Sequence, residues 1–172
     1  LKKKFKNKSV YFPGSAIIEE INNFKKKKNI KSYFFKKNNF VLMTFHPATN
    51  SKENISKLMF ISIKLLLDLN YKILITYPNQ DPGYIKILKV INKFKNEKKI
   101  IIKKNLGEKY FNVLKNSQFL IGNSSSGIIE APYFKKKVIN IGDRQKGRQT
   151  DKTIINVSSN LIKFKLNLEK AL

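Results

Sequence analysis

The amino-acid sequence predicts an α/β fold in which helices cover both faces of a parallel sheet. Short runs of branched and aromatic apolar residues alternate along the chain with longer segments of helical periodicity. Gly, Pro, Asn and Asp mark the turns between them. Because parallel strands need crossover connections that usually contain a helix, this alternation favours a sheet with helices on both sides. A chain of 172 residues is long enough for one such domain with a substantial core.

The predicted strands are short apolar runs, and they cover residues 10–12, 40–45, 73–77, 99–103, 119–121, 138–141 and 154–157. The predicted helices have apolar residues three and four positions apart, and they cover 15–24, 51–69, 84–94, 108–115, 127–134 and a last segment from 161. One apolar stripe is expected along the helix over 51–69, formed by Ile55, Leu58, Met59, Ser62, Leu66 and Leu69. Asn50 and Glu53 are expected to form its capping box.

The formal net charge of +25 invites a nucleic-acid interpretation, but the composition argues against it. Of the 36 basic residues two are Arg, which leaves 34 Lys. Lys, Asn, Ile, Phe and Tyr, whose codons are A/T-rich, are abundant, so genome composition explains the bias. Recognition of bases and phosphates favours the bidentate fork of Arg. We therefore expect no nucleic-acid partner, while a general attraction for anionic ligands remains.

The absence of cysteine excludes a disulfide framework and fits a reducing compartment, so we expect a cytoplasmic protein. We expect no membrane partner, because no apolar run reaches the length that a bilayer requires. One histidine and no cysteine disfavour a zinc site, and we expect neither a metal nor a cofactor. The chain begins with Leu1 and ends inside a predicted helix, from which we expect a fragment of a longer protein.

Unusual residues concentrate in four loops that follow predicted strands. His46 is the only histidine and lies in TFHPATN, while Arg144 and Arg148 are the only arginines and lie in GDRQKGR. The other two loops contain PNQDPG and NSSSG. Ligands bind at the carboxyl ends of strands in open parallel sheets. The four loops are therefore expected to meet at one edge of the sheet and to form one site.

The stretch IGNSSSGIIEAP permits two interpretations. In the first, Ser124, Ser125, Ser126 and Gly127 open a helix whose backbone N–H groups bind a diphosphate together with the serine hydroxyls. Glycine would let the anion approach closely, and Glu130 would reach a pair of ribose hydroxyls. In the second, a serine caps an ordinary helix and Glu130 is a surface acid. The loop by itself does not decide between them.

The other three loops also permit a functional and a structural interpretation. Arg144 and Arg148 could clamp a diphosphate, or they could form ordinary salt bridges. His46 could bind a phosphate or act as an acid, or it could be structural. Asn79 and Asp81 are explained by the turn in which they lie.

Taken together, TFHPATN, YPNQDPG, IGNSSSGIIEAP and VINIGDRQKGR resemble the UDP-N-acetylglucosamine 2-epimerase family, and more closely its hydrolysing branch, which feeds sialic-acid-type sugar synthesis. The motifs cover roughly residues 8–160 in the family's order and spacing. The resemblance implies a Rossmann-like three-layer parallel sheet with helices on both faces, which is one half of a GT-B-like two-domain fold. Residues 1–38 would be an N-terminal segment and interdomain connection, and 39–172 a C-terminal nucleotide-binding domain truncated at its end.

The resemblance also implies roles for individual residues. His46 would contact the diphosphate and assist the departure of UDP, which makes it the catalytic residue of this half. The implied UDP-binding residues are Asn79, Lys104, Asn105, Ser124, Ser125, Ser126, Gly127, Glu130 and Arg144. Within this set the first two serines and the arginine would hold the diphosphate, and the third serine and the glycine would form the turn that presents them. The glutamate would bind the ribose, Asn79 would line the cleft, and the lysine–asparagine pair would border the uracil.

The family reaction eliminates UDP across C1–C2 of the sugar and hydrates the resulting glycal to the 2-epimer. Its acidic residues lie largely in the N-terminal half, so the resemblance implies that this chain binds a UDP-sugar without turning it over. The implied partners are the missing N-terminal half and, for the whole protein, further copies of itself. The chain departs from the family over 133–137, where Gly and Pro are usual, and PGSAIIEE lacks the usual aspartate.

Two alternative functions remain open. A GT-B glycosyltransferase would use the same cradle for a UDP-sugar, and a basic module would bind nucleic acid or another anionic surface. GDRQKGR favours the epimerase over the glycosyltransferase.

Overall fold

The computed structural model describes residues 16–26, 36–48, 53–148 and 151–172, and these residues form a six-stranded parallel sheet. Its strands are β1 (Val41–Thr44), β2 (Ile73–Thr76), β3 (Ile100–Lys103), β4 (Phe119–Gly122), β5 (Lys137–Ile141) and β6 (Ile154–Val157). Their order across the sheet is β3-β2-β1-β4-β5-β6, and all neighbours are parallel. The strand order reverses between β1 and β4, as in doubly wound folds. The predicted Rossmann-like fold class is confirmed.

The helices of the described residues are α1 (Ala16–Lys26), α2 (Ile55–Asp68), α3 (Tyr84–Lys93), α4 (Tyr110–Asn116), α5 (Ser126–Ile129) and α6 (Phe164–Ala171). Two 3₁₀ turns, Gly107–Lys109 and Ala131–Phe134, precede α4 and follow α5. Helices α2, α3 and α6 contribute to the core on one face of the sheet, and α4 contributes to the core on the other. The layers are therefore helix, sheet and helix.

The two apolar layers explain the sequence pattern of the central strands. Val41 and Met43 belong to one layer, and Leu42 between them belongs to the other. Successive strand residues point to opposite sides, so a strand with both sides covered is apolar at nearly every position. The buried exceptions Thr44 and Thr76 hydrogen-bond to each other at 2.7 Å. All four residues of β1, β2 and β4 are buried. Continuous apolar runs, rather than alternation, are the result.

Helix α2 begins later than predicted and has a different cap. It starts at Ile55, and the side chain of Asn54 accepts a hydrogen bond from the Lys57 N–H at 3.1 Å. The predicted capping box is therefore wrong. Asn50 lies outside the described residues, and Glu53 contacts a different loop, as shown below.

The apolar stripe of α2 is confirmed except at its end. The buried residues of this helix are Ile55, Leu58, Met59, Ser62, Ile63, Leu65 and Leu66. Leu69 is 50% exposed, because α2 ends at Asp68 and Leu69 is already its C-cap.

The helix predicted over 127–134 is interrupted. Helix α5 has four residues, Ser126–Ile129, and the 3₁₀ turn over Ala131–Phe134 follows it. Pro132 accounts for the break, because its ring excludes the carbonyl four residues earlier and it has no N–H for a continuing helix. The turn ends at Lys135, whose φ of 52° is left-handed. Lys135 thus provides the turn in the segment where the family usually has Gly and Pro.

Three other predictions concern the ends of the chain. The strand over 10–12 and Ser15 lie outside the described residues, and the last helix begins at Phe164 rather than at 161.

Phe24 of α1 packs against Phe111 and Phe134, with ring centroids 5.6 and 5.9 Å apart. Helix α1 therefore lies on the same side of the sheet as α4. A domain boundary between residues 38 and 39 stays a prediction.

Strand β4 approaches β1 so closely that Gly122 has no room for a side chain. Its φ is 138°, and a Cβ atom there would lie 1.9 Å from the Thr44 carbonyl oxygen. We expect Gly122→Ala to lower the free energy of unfolding by roughly 3 kcal/mol or more, because the backbone must shift. Urea unfolding measures the loss.

The matched control is Gly107→Ala. Gly107 also has positive φ, 47°, but no atom lies within 4 Å of the added Cβ. Its expected cost is about 1 kcal/mol. Equal losses in the two variants would show that the close approach of the strands is not the cause.

Candidate functional site

The unusual residues meet at the carboxyl edge of the sheet, as predicted. His46 follows β1, Asn79 follows β2, the serine loop follows β4, and Arg144 follows β5. These four strands are adjacent in the order β2-β1-β4-β5. Loops far apart in the sequence are therefore brought together by strand pairing, and direct hydrogen bonds connect them.

Asn123 joins the loops after β1 and β4. Its side-chain oxygen accepts the His46 N–H at 2.7 Å, and its side-chain nitrogen donates to the His46 carbonyl at 2.9 Å. Its own N–H donates to the Thr44 carbonyl at 3.2 Å. Asn123 is fully buried, so each of these bonds replaces one that water cannot supply. The side-chain amide of Asn123 thus continues the hydrogen bonding between the chain segments of β1 and β4 beyond the ends of these strands.

His46 is held as a neutral imidazole. Its Nδ1 accepts the Asn79 N–H at 3.0 Å, which places the remaining ring proton on Nε2. Burial, assisted by the positive charge of Arg144, lowers the pKa of His46 to about 4, although Asp81 opposes the shift. At neutral pH His46 is therefore a hydrogen-bond donor through Nε2 rather than a charged acid.

Arg144 and Gln145 attach the loop after β5 to the same centre. The Arg144 guanidinium donates to the carbonyls of Pro47 and Asn123, at 3.2 and 3.3 Å. The Gln145 side-chain amide also donates to the Asn123 carbonyl, at 2.8 Å. Arg148, by contrast, is exposed. The two arginines are thus unequal: Arg144 is fixed beside His46, and Arg148 lies on the outside of the loop.

Glu53 anchors the start of this loop. Its carboxylate accepts the Asp143 N–H at 2.8 Å. Gly142, with φ of 76°, lies so close that a Cβ atom on it would be 2.4 Å from the Glu53 Oε1. The loop after β1 and the loop after β5 are therefore joined at two points, through Arg144 and through Glu53.

The serine loop presents free backbone donors. The Ser124 hydroxyl accepts the Ser126 N–H at 3.3 Å, and the Ser124 carbonyl accepts the Gly127 N–H at 3.2 Å. Within the described ranges the N–H groups of Ser124 and Ser125 donate to no protein acceptor. Because α5 has only one turn, local N–H donors rather than a long helix dipole are what this loop can offer to an anion.

Gly127 has a packing role that the sequence analysis did not foresee. A Cβ atom on it would lie 2.9 Å from Val138 Cγ1 and 3.2 Å from Leu120 Cδ2, so the glycine lets α5 lie directly on the sheet. Its N–H is already bonded to Ser124. These contacts explain the glycine without an anion, and its predicted part in UDP binding stays a prediction.

Glu130 lies in a partly buried network rather than on the surface. Its N–H donates to the Ser126 carbonyl at 3.0 Å, which places the two side chains one turn apart. The Ser126 hydroxyl is hydrogen-bonded to Tyr110. Burial raises the pKa of Glu130, a bond from Ser126 lowers it, and Glu20 of α1 raises it further. The interpretation of Glu130 as an ordinary surface acid is therefore wrong.

Lys104 and Asn105 lie apart from this network. They follow β3, which is an edge strand separated from β4 by β2 and β1. Both are exposed, and Leu106 beside them is buried. They share the carboxyl edge with the other predicted ligands, but no direct hydrogen bond joins them to His46 or to the serine loop among the described residues.

Two surface cavities open near the carboxyl edge of the sheet, one lined by the loop after β5 and the other by the loops after β1 and β2. One, of about 400 Å³, includes Asn140, Gln145 and Asn156 in its lining, and the other, of about 430 Å³, includes Pro47 and Glu53. Neither lining includes His46 or a serine of the loop after β4. In the part of the chain that the structure describes, no three His, Asp or Glu side chains are placed to hold a metal ion. No helix in that part is long and apolar enough to cross a membrane.

Sequence reasoning missed four residues that organise the site: Asn123, Gln145, Glu53 and Tyr110. Asn123 and Gln145 lie inside motifs that the sequence singles out, and a polar residue at the end of a buried strand was the available signal. Glu53 was interpreted as a helix cap. For Tyr110 there was no signal, because aromatic residues at helical spacing normally indicate core packing.

Acidification is expected to destabilise the chain through His46. Its pKa of about 4 lies below the usual value, so between the two the unfolded chain binds a proton that the folded chain does not, and stability falls as pH falls. From pH 8 to pH 5 the loss through this residue is at most about 2 kcal/mol. Urea unfolding at several pH values measures it.

The control is His46→Asn, whose amide oxygen can replace Nδ1 as the acceptor for Asn79. Because His46 is the only histidine, this variant is expected to remove most of the slope between pH 5 and 7. An unchanged slope would mean that another group is responsible.

Loss of the Asn123 amide is expected to loosen the whole edge. Asn123→Ala leaves the buried N–H and carbonyl of His46 without partners, which costs roughly 2–3 kcal/mol in urea unfolding. Asn79→Ala is the control, because Asn79 bonds to His46 through its backbone and its side chain is exposed. That variant is expected to stay within about 0.5 kcal/mol of the parent. Similar losses in both would contradict the role assigned to the amide.

The comparisons with known sequences agree with this geometry. The family model described as UDP-N-acetylglucosamine 2-epimerase matches residues 1–172. A GDP/UDP-N,N'-diacetylbacillosamine 2-epimerase (hydrolyzing) of Campylobacter jejuni is 38% identical over 151 residues, which are 85% of this chain and 39% of that protein. A UDP-N,N'-diacetylbacillosamine 2-epimerase (hydrolyzing) of Legionella pneumophila is 32% identical over 158 residues, or 88% of this chain and 42% of that protein. The chain spans about two fifths of the length of these curated relatives.

Solved structures show the same architecture. The UDP-GlcNAc 2-epimerase of Methanocaldococcus jannaschii, in complex with UDP-GlcNAc and UDP, matches 90% of this chain and 44% of its own with a TM-score of 0.65 and 21% identity. The Escherichia coli heptosyltransferase WaaC, with ADP-2-deoxy-2-fluoro heptose, matches 99% of this chain and 53% of its own with a TM-score of 0.58 and 13% identity. At these identities the likeness shows only a fold shared by GT-B-type epimerases and glycosyltransferases. It is the family model, which matches along the whole sequence, that shows this chain to belong to the UDP-N-acetylglucosamine 2-epimerase family.

Proposed function

We propose that this chain is the UDP-binding half of a hydrolysing UDP-N-acetylhexosamine 2-epimerase, which eliminates UDP and releases the free 2-epimer of the sugar. The observation that supports this most directly is the clustering of His46, the serine loop and Arg144 around the buried Asn123 amide. One neutral donor, two unpaired N–H groups and one fixed guanidinium suit the several oxygens of a diphosphate. None of these groups requires a metal ion to present it.

The diphosphate lies against the serine loop in this proposal. The N–H groups of Ser124 and Ser125 donate to its oxygens, and the guanidinium of Arg144 adds a charge-assisted bond. Hydrogen bonds to charged groups contribute about 1.5–3 kcal/mol each. Glu130 accepts from the ribose hydroxyls. Lys104 and Asn105, further along the same edge, border the uracil.

The contribution of this half to the reaction is stabilisation of the leaving group. As the bond between C1 and the UDP oxygen breaks, negative charge develops on the diphosphate. The Nε2–H of His46 donates to it, and Arg144 offsets its charge. Because the pKa of His46 is about 4, the proton is donated as a hydrogen bond and is not fully transferred from an imidazolium present beforehand. The groups that move the proton at C2 belong to the N-terminal half, so this chain alone binds UDP without turnover.

The relatives narrow the sugar. One is named for GDP/UDP-N,N'-diacetylbacillosamine and the other for UDP-N,N'-diacetylbacillosamine, and the solved epimerase is in complex with UDP-GlcNAc. These names support our proposal that the substrate is a UDP-linked N-acetylated or N,N'-diacetylated sugar, on a route to a sialic-acid-type product in the cytoplasm. Its partners are the N-terminal half and further copies of the complete protein.

A GT-B glycosyltransferase is the second candidate. The heptosyltransferase match covers 99% of the chain, which shows that the fold is compatible with this function. Against it stand the curated relatives, which are named as hydrolysing epimerases at 38% and 32% identity. A complete protein that releases UDP and the free 2-epimer from a UDP-sugar without an acceptor is an epimerase of the hydrolysing kind, whereas an obligatory acceptor would identify a transferase.

Calorimetric titration of the 172-residue chain with UDP tests the proposal. Arg144→Ala is expected to weaken binding by roughly tenfold or more, because one charge-assisted bond is lost. Arg144→Lys is expected to recover only part of this, since an ammonium lacks the guanidinium fork.

The charge-matched control is Lys152→Ala. Lys152 is exposed and precedes β6, so it lies at the opposite edge of the sheet. This variant loses the same charge and is expected to bind UDP as the parent does. A folded chain that does not bind UDP, or an equal loss in both variants, would count against the proposed site.

A further inference from the structure

We propose that Tyr110 is a positioning residue of the nucleotide site, whose hydroxyl orients Ser126 and, through Ser126, turns the Glu130 carboxylate toward the ribose. This role rests on the proposed function, in which Glu130 binds the ribose. It makes Tyr110 a determinant of the preference for a ribonucleotide over its 2'-deoxy form.

The ring of Tyr110 is anchored before it reaches the site. Tyr110 is the first residue of α4 and packs against the apolar layer on that side of the sheet. Its ring meets that of Phe111 edge to face at a centroid distance of 5.9 Å. The ring is thus fixed by packing, and only its hydroxyl extends to Ser126 at the start of α5.

The number of protons determines the direction of the hydrogen bonds. Tyr110 and Ser126 have one hydroxyl proton each, and an ionised Glu130 has none. The contact between the Tyr110 and Ser126 hydroxyls permits either one to donate. In the proposed arrangement Tyr110 donates, which leaves the proton of Ser126 for Glu130 one turn away. Burial raises the pKa of Tyr110, so it retains its proton throughout the physiological range. The tyrosine therefore fixes a serine hydroxyl that would otherwise rotate.

One carboxylate oxygen of Glu130 can accept a hydrogen bond from a ligand. Its Oε2 is buried and has no hydrogen-bond partner in the part of the chain that the structure describes. A buried carboxylate oxygen without a donor is unfavourable, and a small rotation that brings it to a ribose hydroxyl would relieve the cost. Glu130 is the C-cap of α5 and lies one turn after Ser126, so the serine limits the directions in which the carboxylate can turn. Ser126, predicted as a UDP ligand, is in this arrangement a support for Glu130.

A comparison of UDP with 2'-deoxy-UDP separates this role from simple packing. In calorimetric titrations we expect the parent chain to prefer UDP by about tenfold, because only UDP offers the 2'-hydroxyl donor to Glu130. Tyr110→Phe keeps the ring and removes the hydroxyl. It is expected to reduce the preference to about threefold or less, with affinity for 2'-deoxy-UDP changed by less than about twofold.

Ser126→Ala interrupts the same chain of hydrogen bonds from the other end, and it keeps the test valid if Tyr110→Phe does not fold. Its effect on the preference is expected to equal that of Tyr110→Phe, and the double variant is expected to be no worse than either one. Tyr84→Phe, the same chemical change at the start of α3, is the control and should keep the parent's preference.

The outcomes are distinct. Equal weakening of both nucleotides in Tyr110→Phe and Ser126→Ala would overturn the proposal in favour of a general structural role. An unchanged preference in both variants would overturn it as well. If the parent chain binds neither nucleotide while folded, the proposed function itself fails. Selective loss of the preference supports Tyr110 as a positioning residue.

Discussion

The site depends on one buried amide. Asn123 extends the pairing of β1 and β4 beyond the ends of the strands, and its carbonyl then accepts from both Arg144 and Gln145. The loops after β1, β4 and β5 are therefore hydrogen-bonded to the same buried residue. Because a buried polar group without a partner is costly, the loops cannot separate without leaving several such groups unpaired. The positions of the imidazole of His46 and of the guanidinium consequently depend on each other.

Close backbone approach makes this amide effective. Gly122 brings β4 against the carbonyl of Thr44, and Gly127 lets the single turn of α5 lie on the sheet. A longer helix, as predicted after the serines, would have supplied a larger dipole. Pro132 prevents a longer helix, so individual N–H groups are the backbone donors that this loop can offer to an anion. The arrangement favours an anion with several oxygens at defined positions over a diffuse attraction for negative charge.

The strongly positive net charge of the chain contrasts with the neutral hydrogen-bond donors of the candidate site. The chain has a formal charge of +25, yet its only histidine is neutral at physiological pH because it is buried beside Arg144. Within the described residues no lysine belongs to the hydrogen-bond network around Asn123, and the lysines contribute a general field. The specific groups are few, and both kinds of neutral donor, the imidazole and the backbone N–H, are unaffected by the A/T-rich composition. In the proposed function, selectivity for the diphosphate therefore depends on the geometry of these groups, while the lysines would affect the rate of encounter.

The sequence by itself determined the parallel α/β fold, the edge at which the candidate site lies, and the meeting of His46, the serine loop and Arg144 at that edge. Hydrophobic periodicity and strand-end motifs are local properties, so they can be interpreted without coordinates. The tertiary structure alone decided the partners. It showed that Glu53 caps the loop after β5 rather than a helix, and that Tyr110 reaches the serine loop. Such contacts connect residues distant in sequence, and their choice depends on packing depths and rotamers that no local pattern contains.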